Sequence, residues 1–161
     1  PRLYTVQEMQ LKNDRKKSFL TAYHLKEDKL IQVANKKFPN STLTHNANSN
    51  YALISNPEPY QLSSQWTGQF SKNDLAVLNI ETGLSKIIIK SNPSISRLSP
   101  KGNYAFGYNQ IDTTWYTYNL KTEKYTELTK GKQFYNELND TPNYPRSYGS
   151  AGWTKNDKRI F

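Results

Sequence analysis

Short runs in which apolar or aromatic residues alternate with polar ones recur along the chain, separated by clusters of Asn, Asp, Gly, Lys and Ser. In the run 115–120, Tyr116, Tyr118 and Leu120 fall on one face and Trp115, Thr117 and Asn119 on the other. No window keeps a convincing apolar stripe at helical spacing, so the pattern predicts an all-β chain.

The runs are copies of one another. A polar tip followed by an apolar strand occurs as Asn-Ser-Asn-Tyr-Ala-Leu-Ile (48–54), Lys-Gly-Asn-Tyr-Ala-Phe-Gly (101–107) and Asn-Asp-Lys-Arg-Ile-Phe (156–161). In step with it come Phe-Leu-Thr-Ala-Tyr-His-Leu (19–25), Leu-Ala-Val-Leu-Asn-Ile (75–80) and Trp-Tyr-Thr-Tyr-Asn-Leu (115–120), each followed by a polar tip and another strand-like run. The third position of those tips, Asp28, Gly83 or Glu123, is where a hairpin calls for a left-handed backbone. The aligned positions Thr21, Tyr23 and Leu25, Ala76, Leu78 and Ile80, and Tyr116, Tyr118 and Leu120 are expected to form the faces through which neighbouring sheets pack.

Two strand pairs per repeat is the grammar of a four-stranded propeller blade, whose period is about 40–50 residues. The expected architecture is a partial β-propeller of four-stranded antiparallel blades: remnants of a first blade in 1–38, blades in 39–91 and 92–130, and the start of another in 131–161. Residues 3–11 are expected to be a strand of the broken first blade, 12–17 a hairpin tip, and 150–154 and 158–161 the opening strands of the last. The chain of 161 residues is short for a whole propeller and is expected to be part of a larger protein. Two long connections, 56–74 and 130–149, interrupt the spacing. Their aromatics, Tyr60, Trp66, Phe70, Phe134, Tyr135, Tyr144 and Tyr148, predict packed rather than floppy loops.

Composition narrows the function classes. Net charge is +9, but the basic residues are scattered over tips and strand ends, which argues for a solvated surface rather than a nucleic-acid site. Cysteine is absent, which excludes disulfides and thiolate metal sites. No apolar run approaches the roughly 20 residues of a membrane-spanning helix. No metal-ligand spacing and no phosphate-cradling glycine loop is present, so no cofactor is expected.

Leu-Ser-Pro-Lys-Gly-Asn-Tyr (98–104), the run 115–129 and Tyr-Gly-Ser-Ala-Gly-Trp-Thr-Lys-Asn-Asp-Lys (148–158), with Asn-Pro-Glu-Pro-Tyr-Gln-Leu (56–62), together resemble the propeller domain of the prolyl oligopeptidase superfamily, on its dipeptidyl-peptidase-like bacterial side. The resemblance implies a serine peptidase, periplasmic or secreted, whose propeller filters peptides before a separate C-terminal α/β-hydrolase domain. No catalytic residue is expected in this chain. The nearest string to a nucleophile elbow, Tyr148-Gly149-Ser150-Ala151-Gly152, lacks the first glycine of Gly-x-Ser-x-Gly and leads into a strand. His24 and His45 fall at repeat positions and lack an identifiable acid partner.

Relatives of that type hold the substrate amino terminus with a propeller acidic pair. On the long loop of this chain the candidate contacts to substrate or hydrolase domain are Glu137, Asp140, Arg146 and Tyr148. Two readings compete with peptide gating: a stand-alone scaffold for protein partners, and glycan binding through Trp66, Trp115 and Trp153, of which Trp115 and Trp153 fall in strands and read as core. An arc of blades has open edges, so the isolated segment is expected to self-associate or to be marginally stable.

Overall fold

Strands form where alternating runs are bounded by turn residues, in a computed structural model that describes residues 3–67, 71–132, 134–139 and 145–161. The first two, β1 (Thr21–His24) and β2 (Lys29–Gln32), make an antiparallel hairpin. A middle sheet follows in chain order: β3 (Asn40–Thr42), β4 (Tyr51–Asn56), β5 (Asn73–Asn79) and β6 (Ser85–Asn92). The last sheet repeats it with β7 (Arg97–Leu98), β8 (Tyr104–Asn109), β9 (Thr114–Asn119) and β10 (Tyr125–Glu127). Among the described residues every pairing is antiparallel, and no sheet is closed. Residues 151–161 add a further pairing, a bridge between Trp153 and Ile160. The pair expected over 150–154 and 158–161 is thus present in its shortest form.

The sheets pack face to face in sequence. Ala22, Ile31, Val33 and Phe38 of the hairpin region meet Ala52, Ile54, Ala76 and Leu78 of the middle sheet. The opposite face of the middle sheet, with Leu53, Leu75 and Val77, meets Leu98, Ala105, Tyr118 and Leu120 of the last. Trp153 in turn stacks on Tyr104 at 5.6 Å and meets the ring edge of Phe106 at 5.3 Å on that sheet's far face. The face carried by Ala76, Leu78 and Ile80, and by Tyr118 and Leu120, therefore always looks back at the preceding sheet.

Hairpin tips repeat in backbone detail. The third tip position is left-handed in all three cases: Asp28 at φ 50°, Gly83 at 78° and Glu123 at 57°. Asn79 and Asn119 begin their tips identically, each Oδ1 accepting from the two amides two and three residues on. The second kind of turn also repeats. Thr44, Ser99 and Thr154 each accept, through the backbone carbonyl, the amide of the residue three on, namely Ala47, Gly102 and Asp157. All three of those residues have positive φ.

Consecutive turns of this second kind lie against one another. A Cβ at Gly102 would fall 2.0 Å from Ser49 Oγ and 2.5 Å from Ser49 Cβ in the preceding turn. Asp157, one repeat later, reaches back into the turn of Gly102. There its carboxylate accepts from Ser99 Oγ at 2.7 Å, from the Lys101 and Asn103 amides at 3.1 and 3.3 Å, and from Asn103 Nδ2 at 3.0 Å.

Three expectations fail. Residues 3–11 are not a strand and 12–17 not a hairpin tip: Tyr4–Arg15 is the helix α1. It has no buried residue, so it carries no apolar stripe to announce it. Its twelve residues lack Gly and Pro, are rich in helix formers, and end on Lys12 and Arg15, which suit the carbonyl end of the dipole. In the connection 56–74, a 3-10 turn (Glu58–Tyr60) and the helix α2 (Gln61–Thr67) replace plain loop. The described loop aromatics are mostly not packed: Trp66, Phe134, Tyr135 and Tyr148 are exposed, while Tyr60, half-buried, is tied down by donating to Asp74 Oδ1 at 2.7 Å. Phe70 and Tyr144 lie outside the described residues.

Two substitutions at left-handed glycines test the stacked turns. Gly102→Ala is expected to cost about 3 kcal/mol, combining a left-handed alanine with displacement of Ser49, whereas Gly131→Ala, at φ 75° with nothing within 4 Å of its would-be Cβ, bears only the backbone term of about 1 kcal/mol. Urea unfolding of the two variants measures the difference. By the same method Asp157→Ala is expected to lose about 3 kcal/mol or more, because buried donors of the preceding turn are orphaned. Equal stabilities for wild type and Asp157→Ala would show that the turns do not hold one another.

Candidate functional site

Antiparallel order puts the tips 79–85 and 119–125 and the stacked turns at one end, and the long connections, with the short turn 109–114 of the last sheet, at the other. The connection end is therefore where chain not needed for the sheets is displayed. Between the two sheets, residues 92–96 cross from β6 to β7, pinned by a polar cluster. Asn92, buried, donates through Nδ2 to Ser94 O and Ser96 Oγ at 3.1 and 2.9 Å and accepts the Ser94 amide. Ser94 Oγ donates to Tyr108 O, and Ser96 Oγ shares a hydrogen with Tyr116 Oη at 2.7 Å. Burial pushes the Tyr116 phenol above its ordinary value.

Clefts open on both sides of this crossing and share Ile95 and Gln110 in their walls. One, of about 350 Å³, is bounded by Thr42, Ser55, Ser71, Asn73 and Ser96 over a floor of Leu53 and Leu75. The other, of about 380 Å³, lies between the last sheet and residues 146–150. Phe106, Tyr108 and Trp115 form its aromatic wall, with Tyr108 and Trp115 tilted together at 5.5 Å. Arg97 and Arg146 give it two guanidinium groups, and Ser147 and Ser150 hydroxyls. Among the described residues, no Asp or Glu lines it. Tyr108 Oη and Gln110 Oε1 are buried without a hydrogen-bond partner, in a structure where buried polar atoms ordinarily have one.

The structure brings together three of the four residues singled out from sequence. The Asn136 amide donates to Arg146 O at 2.6 Å, clamping the two legs of the long loop. Tyr148 Oη donates to Glu137 Oε2 at 3.0 Å across the same legs. Arg146 thereby stands in the cleft wall, while the Glu137–Tyr148 pair is exposed beside it. Asp140 lies outside the described residues. Sequence reasoning missed Arg97, Tyr108 and Gln110. Arg97 sits immediately before the Leu-Ser-Pro string, and only its strand register shows that it shares a cleft with a loop some fifty residues on.

The other sequence candidates fall where repeat register put them. His24, in β1, makes a 2.9 Å hydrogen bond with Ile80 O, with Glu27 3.7 Å from its other nitrogen, and His45 is exposed. Ser150 is exposed ahead of the bridge at Trp153, not at a strand-to-helix elbow. Trp115 and Trp153 pack in the sheets, and Trp66 is exposed on α2. Among the described residues, no group of three or more His, Cys, Asp or Glu is gathered as a metal would need, and no helix is long and apolar enough to cross a membrane.

No protein-family model, curated protein or solved structure matches the chain, so the site stands on its geometry alone. That geometry fixes a pH behaviour. The hydrogen bond to Glu137 raises the Tyr148 phenol above its ordinary value, with lesser help from desolvation. In a 13C-tyrosine NMR titration Tyr148 is expected to ionise at higher pH than in the Glu137→Gln variant, where the carboxylate is gone. An unchanged midpoint would show that the two loop legs are not joined.

Proposed function

We propose that this chain is an arc of β-propeller from a serine peptidase of the prolyl oligopeptidase type. In this reading it is non-catalytic, and its connection end meets peptides on their way to an α/β-hydrolase domain carried elsewhere in the polypeptide. The observation that carries the reading is the constant register of sheet on sheet. Leu78 and Tyr118, equivalent in the middle and last sheets, are 3% and 7% exposed because the preceding sheet covers them. Their counterpart in the hairpin, Tyr23, is 53% exposed, and Leu25, counterpart of Leu120 at 9%, is 87% exposed. A fan of like sheets needs one more sheet on that face, as a propeller has. The resemblance quoted from 98–104, 115–129 and 148–158 selects the peptidase among propeller proteins.

The test is to extend the polypeptide in both directions along its gene. The expected product carries further four-stranded repeats and then Gly-x-Ser-x-Gly with its Asp and His, and it cleaves dipeptidyl chromogenic substrates that the 161-residue chain alone leaves intact. In that product Tyr23 becomes protected from iodination. Further repeats without a hydrolase would replace the peptidase reading with the interaction scaffold. A Tyr23 that stays reactive in the extended protein would overturn the propeller itself.

A further inference from the structure

We propose that the groove between the tip 119–122 and residues 156–159, at the end of the sheets that carries the tips and stacked turns, binds a phosphate monoester as its dianion. This site does not rest on the peptidase reading and lies at the opposite end of the sheets from the long connections.

The groove has a volume of about 630 Å³, with Lys121 on one wall and Lys158 and Arg159 on the other. All three are exposed, and among the described residues none of their charged head groups has an ion pair or a hydrogen bond. Asp157, the acid in the lining, is buried, and its carboxylate is already taken up by Ser99 Oγ, the Lys101 and Asn103 amides and Asn103 Nδ2. Glu123, on the same tip as Lys121, is paired with Lys86. Three cations against one carboxylate leave the lining a surplus of two positive charges. A phosphate monoester carries nearly that charge at neutral pH, with three acceptor oxygens, whereas a carboxylate or a phosphodiester carries half of it. Arg159 can give such an oxygen pair parallel N–H donors, and the two lysines act on it as point charges.

The repeat itself shows that these cations are not needed for the fold. The same junction occurs one copy earlier, between the tip 79–82 and residues 101–104: both tips open on an Asn side chain, and Gly102 and Asp157 are both left-handed. There Glu81 stands in the place of Lys121, Asn103 in that of Lys158 and Tyr104 in that of Arg159. Glu81 accepts from Asn50 Nδ2 at 2.7 Å, so that junction is closed by its own hydrogen bond. The later junction keeps the backbone and exchanges three neutral or acidic positions for basic ones. Those positions are also held in place. The Lys121 amide donates to Asn119 Oδ1 at 3.0 Å, and the Lys158 and Arg159 amides donate to Thr154 Oγ1 at 3.1 Å each, which lowers the ordering cost of binding.

Amide NMR of the chain at constant ionic strength provides the test, with glycerol 3-phosphate as the monoester, dimethyl phosphate as a diester and acetate as a carboxylate. The expected result is a saturable shift of the Lys121, Lys158 and Arg159 signals with glycerol 3-phosphate, and binding at least fivefold weaker for the other two. Arg159→Gln and Lys121→Gln, both at exposed side chains, are each expected to weaken the monoester fivefold or more, the remaining amide signals verifying the fold. Lys26→Gln, at an equally exposed lysine on the tip between β1 and β2, is expected to change nothing. Sedimentation with phosphatidylcholine vesicles containing phosphatidic acid, whose headgroup is a phosphate monoester, then gives the source. Retention that Arg159→Gln abolishes assigns the site to a lipid headgroup, and no retention assigns it to a soluble ester. Absence of a saturable shift, acetate or the diester binding as tightly as the monoester, or a loss in Lys26→Gln equal to that in Arg159→Gln overturns the proposal. None of these outcomes touches the Tyr23 protection that tests the sheet stack, so the two readings fail separately.

Discussion

Burial of both faces of the middle sheet is the constraint on which the molecule depends. Ala52, Ile54, Ala76 and Leu78 on one side, and Leu53 and Leu75 on the other, are each nearly inaccessible, and each side is covered by a different sheet. A sheet that is apolar on both faces must have both covered, so these strands gain most of their stability across the sheet faces rather than along the ladders. Strand register is then not free. Slipping β5 by one residue would turn Ala76 and Leu78 toward the last sheet and Leu75 and Val77 toward the hairpin, exchanging both interfaces at once.

The stacked turns carry the same constraint to the tight end of the sheets. Ala47, Gly102 and Asp157 meet one backbone demand, a left-handed residue at the end of the turn, yet differ in what lies beneath them. Gly102 has Ser49 against it and no room for a side chain. Asp157 has the turn of Ser99 and Asn103 beneath it, with amide and hydroxyl donors converging, and a carboxylate fits them. A left-handed aspartate is tolerable on backbone grounds, and its charge-assisted hydrogen bonds outweigh that small penalty.

How far the sequence could be read follows from which signals are local. The left-handed positions Asp28, Gly83 and Glu123 were legible because turn chemistry is set by neighbours in sequence. The shared face of Leu78 and Tyr118 was legible because alternation survives in every copy. The helix Tyr4–Arg15 was not, since it buries nothing and period-3.6 patterning arises only from burial. The role of Asp157 was hidden for another reason: its acceptors' partners lie more than fifty residues earlier and only the stacking of turns brings them together. The cleft was legible in part, through Arg146 and Tyr148 on a long loop. Arg97 reads in sequence as one more basic residue at a strand end.

The backbone is held differently at opposite ends of the sheets, and the difference has a physical basis. At the tight end, the left-handed residues, the Asx turns of Asn79 and Asn119 and the Asp157 carboxylate fix the backbone. At the connection end, the buried cluster of Asn92, Ser94, Ser96 and Tyr116 anchors the crossing between sheets from within, so the outward side chains need not contribute to holding it. Arg97, which follows that crossing directly, thereby has its backbone held without its side chain being part of the core. A charge on a paired strand is preorganised, and it acts without the ordering cost that a side chain on a flexible loop would incur.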